Sequence, residues 1–166
     1  MQTQSFADPE FLFAVGSYLA LLTWLALAVS PARARWAPHV RFVAGRVVPL
    51  LLAVVYVALF ASTGMGDGGF GSPAAVQRLF SVPALLTAGW LHYLAFDLFV
   101  GAWIAERAGA LGIPHALVLP MLALTFLFGP AGLLAFAALR AFWLRGGRSA
   151  ASTTASSAIT LQRRPS

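Results

Sequence analysis

The run GWLHYLAFDLFVGAWIAE, from Gly89 to Glu106, is long and apolar enough to cross a bilayer as one helix. It carries His92 and Asp97 where the hydrocarbon core would be. A carboxyl group in the middle of a membrane is costly, so it needs a partner, a proton or a function. We therefore expect the rest of the chain to act as a scaffold around this helix.

The composition is that of a membrane protein. Hydrophobic residues make up 60% and charged residues 10% of the 166 residues, whereas a soluble domain carries about 25% charged residues. The net charge of +6 comes from arginine alone, which suits contact with anionic lipid headgroups. The absence of cysteine and lysine excludes disulfides, thiolate catalysis and Schiff-base chemistry. No basic face with base-stacking aromatics is visible, so we expect no nucleic-acid partner.

Four apolar segments predict an all-α integral membrane helical bundle with four transmembrane helices and a kinked last helix. They are Phe11–Val29, Phe42–Ser62, Leu85–Ala105 and His115–Leu144. Pro120 and the Gly129-Pro130 pair predict the kink in the last segment. The alternative is two half-helices, each too short to span the bilayer unaided.

The sequence also predicts the domain boundary, a short helix between two spans and the position of Pro49. Residues 1–145 are expected to form the four-helix transmembrane domain, and residues 146–166 a disordered basic C-terminal tail because they are small and polar. Ala74–Phe80 is expected to be a short amphipathic helix on the membrane surface. Pro49 is expected in the first turns of the second span, where a proline costs least.

Charge gives conflicting indications of the membrane orientation. The loop from Pro31 to Arg46 is the most basic, which favours a cytoplasmic loop and an external N-terminus. Four spans would return the C-terminus to the external side. The arginines from Arg140 onward, however, also favour the cytoplasm. Four spans cannot satisfy both preferences.

The central helix has two polar stripes. At about 100° per residue, positions three and four apart share a face. Because both stripes carry polar groups, the helix is expected to contact other helices or a cavity on both sides. One stripe is Leu86, Trp90, Tyr93, Asp97, Gly101 and Ile104, and the other is His92, Phe96, Phe99, Trp103 and Glu106.

His92 and Asp97 cannot bond to each other in a straight helix, because they are about 140° and about 7.5 Å apart along it. Asp97 is therefore expected to bond to a buried hydroxyl on another helix. The candidates are Tyr18, Thr23, Tyr56 and Thr125. An acid that meets only hydroxyls and hydrocarbon is expected to keep its proton.

We predict no metal site and no cofactor. The chain has three histidines and five acids, too few on facing helices for a di-metal centre. A single ion held by His92, Asp97 and His115 lacks a ligand pair at helical spacing. No nucleophile elbow or Ser-His-Asp arrangement is visible either.

The run GWLHYLAFDLFVGAWIAERA, followed by IPHALVLPMLALTFLFGPAGLLAF, resembles the abscisic acid deficient four-like family. The resemblance covers roughly Leu85 to Leu139. It implies a small multi-span membrane protein, typically with four helices, and the plant members act in plastids in forming neoxanthin from violaxanthin. The matching positions are Trp90, His92, Asp97, Phe99, Phe128, Gly129, Pro130 and Gly132.

The resemblance implies a protein that binds or converts a carotenoid or a similar isoprenoid lipid, in the second case by an isomerase-like opening of an epoxide. That reaction needs an acid to protonate oxygen and a base to take a carbon-bound proton, and Asp97 and His92 suit these catalytic roles. A long polyene would lie in an apolar groove. The ligand-binding residues expected there are Trp90, Tyr93, Phe96, Phe99, Trp103 and Glu106.

Two other functions stay open. Asp97 suits a small proton-coupled transporter or a dimeric channel. A non-catalytic scaffold subunit of a membrane complex is the third hypothesis. In each case we expect a multi-pass protein of the bacterial inner membrane that contacts membrane lipids and can form homo-oligomers.

Overall fold

The structure is a computed structural model that describes the backbone of residues 8–162 and the side chains of residues 8–146. Within these residues the chain forms α-helices and one π-helical segment, and no strand. The all-α prediction is confirmed. The elements are α1 Pro9–Ala28, α2 Ala37–Phe42, the π-helical segment Val43–Val47, α3 Val48–Thr63, α4 Pro73–Phe80, α5 Pro83–Ala110, α6 His115–Phe128 and α7 Pro130–Gln162.

Three stretches of the described chain are long and apolar enough to cross a membrane. They are Pro9–Ala28, the continuous helix Ala37–Thr63 and Pro83–Ala110. The apolar helix α6 has only 14 residues and is about 21 Å long, shorter than a hydrocarbon core of about 30 Å. The structure therefore supports three spans and does not supply the fourth spanning helix.

The second span contains the π-helical segment because of Pro49. A proline has no N–H to donate to the carbonyl four residues earlier, which here belongs to Gly45. The helix accommodates this missing bond by widening over Val43–Val47. The helical backbone begins at Ala37, so Pro49 lies inside the span. The sequence had predicted it in the first turns of the span, and that prediction is wrong.

Helix α5 is the centre of the bundle, and α1 lies parallel to it. At one end, the Thr87 hydroxyl donates a hydrogen bond to the Pro9 carbonyl, 3.2 Å away. Further along both helices, the ring of Trp24 lies directly against Gly101, where any side chain would collide with it. The glycine therefore allows the large indole to fill the space between the two helices.

The second span runs antiparallel to α5. Tyr56 and His92 have ring centroids 5.4 Å apart, and Arg46 forms an ion pair of 3.5 Å with Glu106. The short helix α4 covers the start of α5 and is capped by the Ser72 side chain. This confirms the short helix predicted between the second and third spans.

Helices α6 and α7 form an antiparallel hairpin instead of one kinked span. The turn is at Gly129, whose φ of +34° is a conformation that side chains rarely adopt. After this turn α7 runs back beside α5. Phe136 packs edge-on against Trp103 at 5.7 Å, and the Trp143 indole donates to the Leu111 carbonyl at 3.1 Å. The prediction of a single kinked fourth helix is therefore wrong.

The tip of the hairpin reaches the middle of α5. Gly129 lies against Asp97, which is near the centre of the 28-residue α5. The hairpin therefore enters from the end of the bundle where α5 ends and returns to that same end. Helix α7 has helical backbone as far as Gln162, beyond the domain boundary predicted at residue 145, and the disorder expected for residues 146–166 stays a prediction.

The two ends of the bundle differ in charge. The end that contains the loop after α1, the end of α5 and the start of α6 is called the basic end. The opposite end, called the acidic end, carries Asp8, Glu10 and Asp67 together with Arg78. Among the described side chains, the basic end carries Arg33, Arg35, Arg41, Arg46, Arg107, Arg140 and Arg145.

Three spans and a hairpin remove the conflict over orientation. The basic loop after α1 and the arginines of α7 now lie at the same end, whereas four spans would separate them. The positive-inside rule then favours a cytoplasmic basic end and an external acidic end.

Single cysteines test this topology, because the chain has none of its own. Gly71 and Gly146 are exposed, and nothing lies within 4 Å of a side chain added at either one. In intact cells, a membrane-impermeant maleimide is expected to label Gly71→Cys, and to label Gly146→Cys only after permeabilisation.

Leu134→Cys on the outer face of α7 is the control, since this residue is 71% exposed at membrane depth and is expected to stay unlabelled. Labelling of Gly71→Cys and Gly146→Cys from the same side would contradict the hairpin and restore a fourth span.

Candidate functional site

The most unusual group in the structure is the carboxyl of Asp97. Its residue is 9% exposed, and its Oδ2 is buried without a hydrogen-bond partner. The Tyr93 side chain, one turn earlier on α5, lies close to this carboxyl. A buried polar atom that lacks a partner is rare in native proteins and needs an explanation.

The hairpin turn covers this carboxyl. A Cβ atom built on Gly129 would lie 2.5 Å from Asp97 Oδ1, so only glycine allows the turn to come this close. Thr125 supports the turn from α6, where its backbone carbonyl accepts from the Gly129 N–H at 2.8 Å. Gly132 on α7 lies directly against Thr125. The Phe-Gly-Pro-x-Gly segment therefore forms a tight turn over an acid.

A row of aromatic rings leads to Asp97 from the acidic end. Phe13 of α1 stacks on Trp90 with centroids 5.4 Å apart, and Trp90 stacks on Tyr93 at 5.5 Å. The Trp90 indole donates to the Ser17 hydroxyl at 2.8 Å, which fixes the ring. We call Phe13, Trp90 and Tyr93 the aromatic row.

The aromatic row lies above the tip of the hairpin, where the hairpin does not cover α5. Phe13 is 40% exposed and Trp90 38%. Phe128, beside the turn, is 63% exposed. Trp90, Tyr93 and Asp97 share one face of α5, with Phe13 of α1 beside Trp90 and the hairpin turn against the Asp97 carboxyl. We call this arrangement the recess.

His92 lies on another face of α5. Its ring contacts Tyr56 of α3 at 5.4 Å and Phe96 at 4.6 Å. Phe96 and Phe99 line an apolar groove of about 350 Å³ between α3 and α5. The structure therefore does not bring His92, Phe96 and Phe99 into the recess with Asp97.

Trp103 and Glu106 lie further toward the basic end. Trp103 packs on Phe136 of the hairpin, which fixes α7 against α5. Glu106 pairs with Arg46 and is half-exposed. Of the residues predicted for the site, the structure brings Trp90, Tyr93 and Asp97 together, and the catalytic and ligand-binding roles of all the predicted residues stay predictions.

The hydroxyl groups that the sequence suggested as partners of Asp97 bond to other groups or are exposed. Thr23 donates to the Leu19 carbonyl at 2.7 Å, and Thr125 to the Met121 carbonyl at 2.8 Å. Tyr18 is 68% exposed. The sequence prediction looked for hydroxyls on other helices and missed Tyr93, which lies close to the carboxyl from the same stripe of α5.

Sequence reasoning also missed Phe13, Ser17 and Gly129 as parts of the site. The position of Gly129 could have been found from the sequence, because the Gly129-Pro130 pair interrupts an apolar run and is typical of a turn. Among the described residues, no group of three His, Cys, Asp or Glu side chains lies close enough to hold a metal ion. His115 is far from Asp97, since its Nε2 bonds to the Ala28 carbonyl at the basic end.

The class of protein follows from these features. The chain is all-α in its described part, with three apolar helices of membrane-spanning length, as in multi-pass membrane proteins. It belongs to the ABA DEFICIENT 4-like family, whose family model matches residues 11–136. The family resemblance is thereby confirmed, and the match includes the hairpin turn and Asp97. Searches of curated proteins and of solved structures found no significant match.

The contact between the hairpin and the acid can be tested with glycine substitutions. Gly129→Ala is expected to cost about 1–2 kcal/mol from its backbone conformation and about 1–3 kcal/mol more from the collision with Asp97. Thermal unfolding in detergent measures the loss. Gly66→Ala is the matched control, because Gly66 has a φ of +51° with nothing within 4 Å.

The double variant Gly129→Ala with Asp97→Ala should recover part of the loss, since residues in contact are not additive. Equal costs for Gly129→Ala and Gly66→Ala, with no recovery in the double variant, would show that the turn does not lie on the acid.

Proposed function

We propose that the protein binds a long apolar lipid of the isoprenoid or carotenoid type in the recess, with a polar or epoxide end at Asp97. The observation that carries the proposal is the buried, unpartnered Oδ2 of Asp97 at the end of the aromatic row. Membership of the ABA DEFICIENT 4-like family supports the same class of ligand.

The recess suits an extended polyene for two reasons. Its rings are already fixed against one another, so little side-chain freedom is lost when a flat ligand lies along them. Phe13 and Trp90 are also partly exposed at membrane depth, so a ligand dissolved in the bilayer reaches them without crossing water. The unpartnered oxygen of Asp97 then favours a hydroxyl or an epoxide oxygen at the end of this apolar surface.

The Asp97 carboxyl can supply both proton transfers of an epoxide-opening isomerisation. The protonated acid donates to the epoxide oxygen while the carbon–oxygen bond breaks, which leaves a positive charge on carbon. The carboxylate then takes a proton from the neighbouring carbon, and a new carbon–carbon multiple bond forms. Atoms and electrons balance without a co-reactant, and His92 on the other face of α5 is not required.

A proton-coupled transporter is the rival function, and the described residues support it less. Such a protein needs polar groups that connect Asp97 to both sides of the membrane. Toward the basic end, the buried residues of α5 after Asp97 are Leu98, Gly101, Ala102, Ile104, Ala105 and Ala108. This side of the carboxyl is a packed apolar core.

Expression in a carotenoid-producing host tests the proposal. The purified wild-type protein is expected to retain pigment, and Trp90→Ala to retain several-fold less, because the ring is part of the binding surface. Asp97→Asn should keep the shape and the pigment, but lower the yield of isomerised epoxide about a hundredfold or more, since an amide cannot replace the acid. Absorbance and chromatography of the extracted pigment measure both effects.

Phe99→Ala is the matched control, an exposed aromatic on the opposite face of α5. Loss of pigment in Phe99→Ala but not in Trp90→Ala would place the ligand in the groove between α3 and α5 instead. Pigment-free wild-type protein from such a host would refute the proposed ligand class.

A further inference from the structure

A second polar site lies at the basic end, at the junction of α1, α5 and α6, far from the recess. Its outer part is a cleft of about 460 Å³ lined by residues 31–33, Gly109 and residues 112–115. Its inner part is a pocket of about 10 Å³, which is room for one water-sized group. We call the two parts together the basic cleft.

Two buried polar groups in the inner pocket have no partner. Ser30 is 2% exposed, and its hydroxyl forms no hydrogen bond. The Nε of Arg41 is also buried without a hydrogen-bond acceptor. Both residues line the inner pocket. Buried donors almost always have an acceptor, so an acceptor of suitable size is expected at this point.

Arg41 is held in place by the close approach of α5. A Cβ atom built on Gly109 would lie 3.2 Å from one terminal nitrogen of the guanidinium and 3.6 Å from the other. The acid at this end, Glu106, already pairs with Arg46. Arg41 therefore lies against the backbone of α5 without a carboxylate to neutralise it among the described residues.

Other features of the cleft also favour an anion. The His115 Nε2 donates to the Ala28 carbonyl at 2.8 Å, which holds the start of α6 at the cleft. His115 is also the first residue of α6, where free N–H groups and the helix dipole favour an anion. Arg33 lines the outer cleft. Arginine forks of this kind suit phosphate oxygens.

An apolar groove of about 380 Å³ lies along α1 and α6. It is next to the cleft, because Ala28 of the groove accepts the hydrogen bond of His115, which lines the cleft. The side chains along the groove include Leu21, Trp24, Leu25, Leu119 and Phe126. The arrangement therefore places a cationic site for a polar headgroup beside an apolar groove.

We propose that the basic cleft and this groove bind one anionic phospholipid. Its phosphate lies in the outer cleft, one phosphate oxygen enters the inner pocket and accepts from Arg41 and the Ser30 hydroxyl, and one acyl chain lies in the groove between α1 and α6. The cleft lies at the depth expected for a lipid headgroup, because α1 and α5 end there. The Trp143 indole, which donates to the Leu111 carbonyl, lies at the same end. The bound lipid joins the start of the hairpin to α1, independently of any ligand in the recess.

Native mass spectrometry and thermal unfolding in detergent test the site, with phosphatidylglycerol, zwitterionic phosphatidylcholine and inorganic phosphate as probes. Phosphatidylglycerol is expected to remain bound and to raise the Tm, and phosphatidylcholine to do neither. Arg41→Gln and Ser30→Ala should each weaken phosphatidylglycerol binding, Arg41→Gln by about tenfold or more because a charged hydrogen bond is lost.

Arg35→Gln removes the same charge from an exposed position outside the cleft and should leave binding unchanged. Ala123→Phe fills the groove without touching the cleft, and should also release the lipid, which keeps the test valid if Arg41→Gln does not fold. Equal losses in Arg35→Gln and Arg41→Gln would indicate only general attraction to the basic end and overturn the site. An equal rise in Tm with inorganic phosphate would assign the cleft to free phosphate and overturn the lipid.

Discussion

The structure depends on how a carboxyl group is kept in the middle of an apolar bundle. Water is absent at that depth, so Asp97 needs protein around it on every side except the one that a ligand uses. Tyr93 lies close to the carboxyl on the same helix, and the turn at Gly129 covers it from the hairpin. The hairpin has the length that this requires, since it reaches α5 at the acid and turns back there.

Much of this could be predicted from the sequence. The three spanning helices follow from their apolar runs, and α4 follows from the Ser72-Pro73 start and its amphipathic pattern. The stripe of Trp90, Tyr93 and Asp97 follows from helical spacing, because a helix fixes which of its own residues share a face. These are local properties, and each was visible in a few turns of sequence.

The parts that could not be predicted depend on contacts between distant segments. The apolar run from His115 to Leu144 has the length of a span, and hydropathy does not distinguish one kinked helix from two that fold back. The difference is the backbone conformation of Gly129, which the packing on Asp97 requires. The position of His92 against α3, away from Asp97, likewise depends on how the helices are arranged around α5. The pairing of the two as acid and base therefore had no geometric support.

The half-height hairpin also makes the molecule tapered. Five helical segments lie in the half of the bundle at the basic end, namely α1, the second span, α5, α6 and α7, whereas only α1, the second span and α5 continue into the other half. Placed in a bilayer by its three apolar spans, such a bundle would displace more lipid from one leaflet than from the other, as a wedge does. A wedge that is wider at its basic end fits best in a curved membrane whose convex leaflet contains that end. Local membrane curvature would then influence where the protein accumulates.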